Sequence, residues 1–246
     1  MDGVQLSDAP VPAVELPPAV EARGLSQTYT HGQQRITALN DVTLTLPQGG
    51  VTALIGPSGA GKSTLLHLMA GLTRPANGEL RVAGRDLRRM TSRALARFRN
   101  HDVGVIFQAF NLFPDLTVRE NIFFPLYFGG VHQRDGDARV KRLLEIVGLE
   151  QMANRRPAQL SGGEQQRIAI ARALVTNPAL ILADEPTGNL DDATGRDIAS
   201  LLFTLANQFS KTLILVTHHR ALARRADRRV GMVGGRIVPE EQAACS

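Results

Sequence analysis

Apolar residues change period from one stretch of this chain to the next, and those periods predict alternating strands and helices. Val42, Leu44 and Leu46 alternate with Thr43 and Thr45, the spacing of a half-buried strand. Pro47-Gln48-Gly49-Gly50 then turns the chain into Val51 to Ile55 (VTALI), a run that reads as a buried strand. Leu65, Leu66, Leu68 and Met69 recur at helical spacing, and Gly71 closes that helix. Leu80 and Val82 continue an antiparallel face. From about 109 to 159 the character turns helical, with Val140, Leu143, Leu144 and Val147 on one stripe and Gly148 as a stop. Leu180 to Ala183 and Leu213 to Val216 are apolar runs with little alternation, as in central parallel strands covered on both faces. Ile198, Leu201, Leu202, Leu205 and Phe209 mark an amphipathic helix between them. Gly234-Gly235, between Met232-Val233 and Arg236-Ile237, reads as a terminal hairpin. The fold class is α/β, one domain with a helical insertion and no internal repeat.

Size and composition narrow the picture. The 246 residues suffice for one substantial core, and no apolar stretch approaches the roughly 18 residues needed to span a bilayer. Residues 1–20 are proline-rich and lack a signal pattern, so they read as a flexible tail, with a folded domain over 21–240 and a second tail over 241–246. Cys245 is the one cysteine, which excludes an internal disulfide and fits a reducing compartment. A net charge of +5 raises the question of nucleic acid. The densest basic stretch, Arg85 to Arg99, would line a helix face with Arg89, Arg93 and Arg97, but only Phe98 interrupts it. A second cluster, Arg220 to Arg229, is offset by Asp227. Both read as solvated faces, and no nucleic-acid partner is expected. Attraction to anionic lipid heads beside a membrane partner is the weaker alternative.

Three motifs carry chemistry. Gly56-Pro57-Ser58-Gly59-Ala60-Gly61-Lys62-Ser63, followed by Thr64, is a full GxxxxGK[ST] match set between a strand and a helix pattern. Its glycines let backbone N-H groups nest round a polyphosphate, Lys62 reaches the terminal phosphates, and the Ser63 hydroxyl is placed to ligate Mg²⁺. The chain has only three lysines, Lys62, Lys141 and Lys211, so basic composition does not account for one at this position. The second motif is the run Leu180 to Glu185, whose apolar strand ends in two carboxylates. Asp184 would face the metal, and Glu185 can polarise the attacking water, a role worth about 10²- to 10⁴-fold. The third is LSGGEQQR, Leu160 to Arg167. Ser161 and Glu164 have the spacing of a capping box, and Gly162 and Gly163 clear the helix end, leaving N-H groups free for an anion.

Together these motifs resemble the nucleotide-binding subunit of an ABC transporter, from about Val20 to Val238, and within that family the LolD/MacB/FtsE-like group. The resemblance implies a P-loop NTPase (RecA-like) core with an antiparallel β subdomain and an inserted helical subdomain at about 109–160. It implies ATP and Mg²⁺ as ligands. Gln108 matches the glutamine that contacts Mg²⁺ and the attacking water, Asn189-Leu190-Asp191 the D-loop, and His218 the switch histidine, although His219 stands where the family usually has aspartate. Tyr29 matches the aromatic that stacks on adenine, with an ordinary strand aromatic as the alternative. Phe110, Leu112, Phe113 and Pro114 are candidates for the groove that receives the permease, or for subdomain core.

The resemblance further implies a homodimer with two ATP molecules sandwiched head to tail, Ser161 and Gly163 of one copy closing on ATP held by the other. Such a subunit would sit peripherally on the cytoplasmic face of the inner membrane and drive a separate permease for export, lipoprotein release or mechanotransmission. Amino-acid import and a soluble non-transport ATPase are the competing readings.

Overall fold

The structure, a computed structural model, describes residues 17–32 and 34–244. Two sheets make its frame. Strands β1 (Val20–His31) and β2 (Gln34–Leu46) form an antiparallel pair and lead into β3 (Gly50–Ile55). The helix α1 (Lys62–Met69) follows, then β4 (Asn77–Val82) and the two-residue β5 (Arg85–Asp86). The first sheet has the order β2-β1-β4-β5 and is antiparallel throughout.

Next come α2 (Ser92–His101) and β6 (Val103–Ile106), then the helical insertion, with α3 (Val118–Gly129) and α4 (Gln133–Val147). Two short 3-10 turns lead to α5 (Gly162–Leu174), which returns the chain to β7 (Leu180–Asp184). The remainder is α6 (Asp192–Gln208), β8 (Thr212–Val216), α7 (Arg220–Ala223), the hairpin β9 (Arg228–Val233) and β10 (Arg236–Val238), and α8 (Glu240–Ala244). The second sheet runs β10-β9-β3-β8-β7-β6, parallel except for its hairpin edge.

The apolar runs of β3, β7 and β8 feed two cores, because successive side chains of a strand face opposite sides. Ile181, Ala183, Leu213 and Leu215 join the core shared with α3 to α6, while Leu180, Leu182, Ile214 and Val216 join the core under α1, α2 and the antiparallel sheet. Both faces are covered, which is why these strands show no polar alternation. Helix α5 is buried over most of its circumference, through Gln166, Ile168, Ala169, Ile170 and Ala171, because α3 and α4 lie on one side of it and α6 and β6 on the other. The insertion therefore shares the core of the sheet. No helix among the described residues is long and apolar enough to cross a membrane.

Several boundaries differ from expectation. The folded region begins before residue 21: Ala19 and Val20 are buried, Val20 pairs with both Leu46 and Val82, and the Ala19 carbonyl accepts from Ala83 N at 2.8 Å. Pairing on both sides makes this a central strand, which the neighbouring prolines conceal in the sequence. At the other end α8 replaces most of the expected tail, with Ala243 packed on Gly231 and the Arg229 guanidinium on Glu240. Residues 1–16 and Cys245 lie outside the described residues. The insertion is not helical from 109, since α3 starts only at Val118. Arg89 lies ahead of α2 and pairs with Asp86, so only Arg93 and Arg97 form the exposed helix stripe, and Phe98 is core rather than a stacking surface.

Candidate nucleotide-binding and hydrolysis site

The phosphate-binding motif lies between β3 and α1, at the carboxyl edge of the parallel sheet, where open α/β sheets place their ligands. Gly56, Gly59 and Gly61 all have positive φ, at 148°, 78° and 95°. At Gly56 a Cβ would overlap the Met232 carbonyl and at Gly61 the Ala38 carbonyl, so the loop is wedged between the terminal hairpin and β2. Pro57, Ser58 and Ala60 form its crest, Ala60 N bonding back to the Pro57 carbonyl at 3.2 Å. Lys62 Nζ donates to the carbonyls of Gly56 and Pro57, each at 2.8 Å. Burial pushes its ammonium below the ordinary lysine range, while the carboxylates of Glu185 and Asp184 pull it back up. Thr64 is half-buried in the first turn of α1.

The topology brings the second motif alongside. Ser63 Oγ donates to Asp184 Oδ1 at 2.8 Å across 121 residues of chain, because α1 leaves β3 and Asp184 ends β7 with only β8 between those strands. His67, one turn further along α1, sets Nε2 at 3.6 Å from Asp184 Oδ2. Its place in an apolar helix pattern gives no sign of this. Among the described residues no group of three or more His, Cys, Asp or Glu side chains forms a metal cluster. A hydroxyl and one carboxylate are nonetheless hard oxygen donors of the kind that suit Mg²⁺, which retains several waters.

Glu185 follows with φ 45°, left-handed for a residue with a side chain and ahead of a proline, a conformation that costs roughly 1–3 kcal/mol. Four bonds hold it: its N-H donates to the Val216 carbonyl at 3.0 Å, its carbonyl accepts from Gly188 N at 3.0 Å, and its carboxylate lies 2.9 Å from His218 Nδ1 and accepts from the His218 backbone N-H at 3.4 Å. His218 reaches it from the loop after β8, with His219 stacked on its ring at 4.7 Å. Gln108 is elsewhere. Its Nε2 donates to Asn189 Oδ1 and its carbonyl accepts from Asn189 Nδ2, both at 3.0 Å, so it ties two loops together, while Ser63 and Asp184 bond each other. Asp191 caps α6 through Ala193 N and Thr194 N, and the bonds from the Thr194 side chain and backbone, then from Ala193 N, hold its carboxyl below the ordinary range.

LSGGEQQR forms the expected capping box at the start of α5. Ser161 N and Oγ donate to Glu164 Oε2 at 2.7 and 2.9 Å, and Glu164 N returns a bond to Ser161 Oγ at 3.3 Å. The rest of the motif anchors the helix within its own chain. Gln165 donates to the carbonyls of Pro157 and Leu160, Gln166 to that of Pro186, and Arg167 to that of Val147. Gly163 does more than clear the helix end: a Cβ there would sit 2.5 Å from Thr194 Cγ2, so α5 and α6 approach too closely for a side chain.

Tyr29 lies on β1 opposite Ile36 and is 38% exposed, a ring available at the surface of the sheet that borders the phosphate loop. The four groove candidates divide. Leu112 packs on the core and Phe110 is half-buried, whereas Phe113 and Pro114 are exposed. Phe113 stacks on Phe124 at 4.3 Å and opens an aromatic surface continued by Tyr127 and Phe128, 62% and 71% exposed. Asn121, fully buried, holds this loop by accepting from Phe113 N and donating to the carbonyls of Phe113, Leu116 and Thr117.

A family model described as ABC transporter matches residues 39–188, more than half of the chain. The chain belongs to the ABC transporter family. It is 45% identical over 221 residues to the lipoprotein-releasing system ATP-binding protein LolD of Geobacter metallireducens, covering 90% of this chain and 98% of that protein. It is 41% identical to the LolD of Bacteroides fragilis, covering 82% of this chain and 94% of the relative. The ATP-binding cassette MJ0796, solved as a dimer in a post-hydrolysis state bound to ADP and Pi, superposes with a TM-score of 0.82 at 38% identity, covering 89% and 97% of the two chains. This chain is therefore an ABC transporter ATP-binding subunit with the P-loop NTPase fold, and it is an ATPase.

Proposed function

We propose that this ABC subunit hydrolyses ATP between two of its own copies and thereby drives a separate membrane permease, in lipoprotein release or a related export or mechanical task. The observation that carries the reading is the convergence at one sheet edge of Lys62, the Ser63–Asp184 pair and the Glu185–His218 pair. Lys62 and the loop amides of residues 56–64 grip the phosphates, and Tyr29 stacks on the base. Ser63 and Asp184 would hold Mg²⁺, with Gln108 as a further candidate ligand. When bound, the ion neutralises charge on the terminal phosphates. Glu185 orients and deprotonates the attacking water, and His218 fixes Glu185 and reads the γ-phosphate. Ser161, Gly162 and Gly163 present the start of α5 to ATP held by the partner, with Asp191 close to that interface.

The two LolD relatives are named for a lipoprotein-releasing system, and the MJ0796 cassette was solved as a dimer. Both support the reading of partner and task. The aromatic surface of Phe113, Phe124, Tyr127 and Phe128 suits an apolar helix of the permease, which would hold the subunit peripherally on the cytoplasmic face of the membrane. Glu185→Gln tests the sandwich: with saturating Mg-ATP the variant elutes as a dimer that does not turn over. A variant that stays monomeric under those conditions refutes it.

A further inference from the structure

Helix α5 meets the segment that carries Glu185 at successive points along its length. Gly162 faces Leu190, Gly163 faces Thr194, and Gln166 reaches Pro186. The last contact is of a different kind. Gln166 is fully buried, and its Nε2 donates to the Pro186 carbonyl at 2.7 Å, while its Oε1 has no hydrogen-bond partner among the described residues. A carbonyl can only accept, so this bond fixes which end of the amide faces the turn. Pro186 itself is buried, lacks an N-H, and follows the left-handed Glu185 directly. Its carbonyl therefore lies inside the one turn that aims the Glu185 carboxylate.

We infer that Gln166 is a positioning residue for hydrolysis: through the Pro186 carbonyl it couples the position of the signature helix to the aim of Glu185 in the same chain. Gln166 lies five residues along α5 from Ser161, about 7.5 Å on a rigid helix. A shift of α5 when its N-terminus engages the partner's nucleotide is carried to that carbonyl without a flexible link. The inference rests on the proposed role of Glu185.

The test is Gln166→Met, close in length and without a donor, in the full chain beside wild type and Glu185→Gln. With Mg-ATP the Met variant should keep the wild-type affinity for ATP and lose about 10- to 100-fold in kcat, the penalty of a base misplaced by about an ångström. Because it turns over slowly, it should also accumulate as the ATP-bound dimer on gel filtration. Gln166→Glu, which sets a carboxylate against the carbonyl, should repeat this pattern. A kcat within twofold of wild type overturns the inference. So does a fall in kcat matched by weaker ATP binding or loss of a cooperative melt, since the bond is then architectural. If Glu185→Gln itself hydrolyses like wild type, the reading of Glu185 fails first, and the two failures are distinguishable.

Discussion

Gly163→Ala separates the two duties of the signature glycines. Its Cβ would sit 2.5 Å from Thr194 Cγ2, well inside contact distance, and Thr194 cannot retreat easily because it is β-branched, lies in the first turn of α6 and bonds Asp191. Overpacking of this kind costs about 1–3 kcal/mol. Alanine recovers up to ~1 kcal/mol of helix propensity over glycine, leaving a net destabilisation of up to about 2 kcal/mol. In a chain of this size that lowers Tm by up to about 8 °C. Thr194→Ser removes only Cγ2 and keeps the hydroxyl, so in that background the alanine should be neutral or mildly stabilising. Thermal melts of the four variants give the coupling, expected at about 1–3 kcal/mol. If Gly163 serves only the partner's nucleotide, Gly163→Ala melts like wild type and loses hydrolysis in both backgrounds, and the close approach of α5 to α6 is refuted as its reason.

Two further outcomes follow from the geometry. Arg172 donates to the carbonyls of Phe110 and Asn111, at 2.8 and 2.6 Å, and these residues have φ 59° and 49°; Arg172→Met should destabilise by about 1.5–3 kcal/mol and speed proteolytic cleavage between 108 and 114. Asp191 has a carboxyl held below its ordinary value by the Thr194 and Ala193 bonds, so its stabilisation is complete above the unfolded pKa and is lost as pH falls through the lower folded one. The Tm gap between wild type and Asp191→Ala should therefore be widest near neutral pH and close in acid; a gap that persists in strong acid contradicts the cap.

What the sequence made legible was local. The phosphate loop announces itself because strand, glycines and lysine are contiguous, and the α5 box because Ser161 and Glu164 lie within one turn. The two-faced burial of β3, β7 and β8 follows from their largely apolar runs, which lack polar alternation. Contacts made across the chain left little trace. His67 looks like one polar gap in a helix pattern, and only the packing of α1 beside β7 brings it to Asp184. Nothing in the local pattern marks Gln166 and Asn121, although both are fully buried with bonds to loop carbonyls. The burial of Ala19 and Val20 is not legible locally because the pairing of Val20 depends on strand positions 26 and 62 residues away.

The pairings at the sheet edge also set an order of events. Lys62 is held by two carbonyls, Glu185 by His218 and Gln108 by Asn189, so each group must exchange a bond before it can act. The bonds of the Lys62 ammonium to the two carbonyls are already charge-assisted, but a phosphate oxygen carries the opposite charge and so holds the ammonium more strongly than a neutral carbonyl does. Polyphosphate can therefore draw Lys62 away from the Gly56 and Pro57 carbonyls, and a neutral nucleoside cannot. The same reasoning applies to Glu185. His218 holds both Glu185 carboxylate oxygens, one through Nδ1 at 2.9 Å and one through its backbone N-H at 3.4 Å, so on the proposed roles a phosphate oxygen that drew the ring away would free one oxygen for water and leave the other anchored. On those roles the proposed base would become available after phosphate capture, which would tie hydrolysis to a filled site before any contact with the partner is considered.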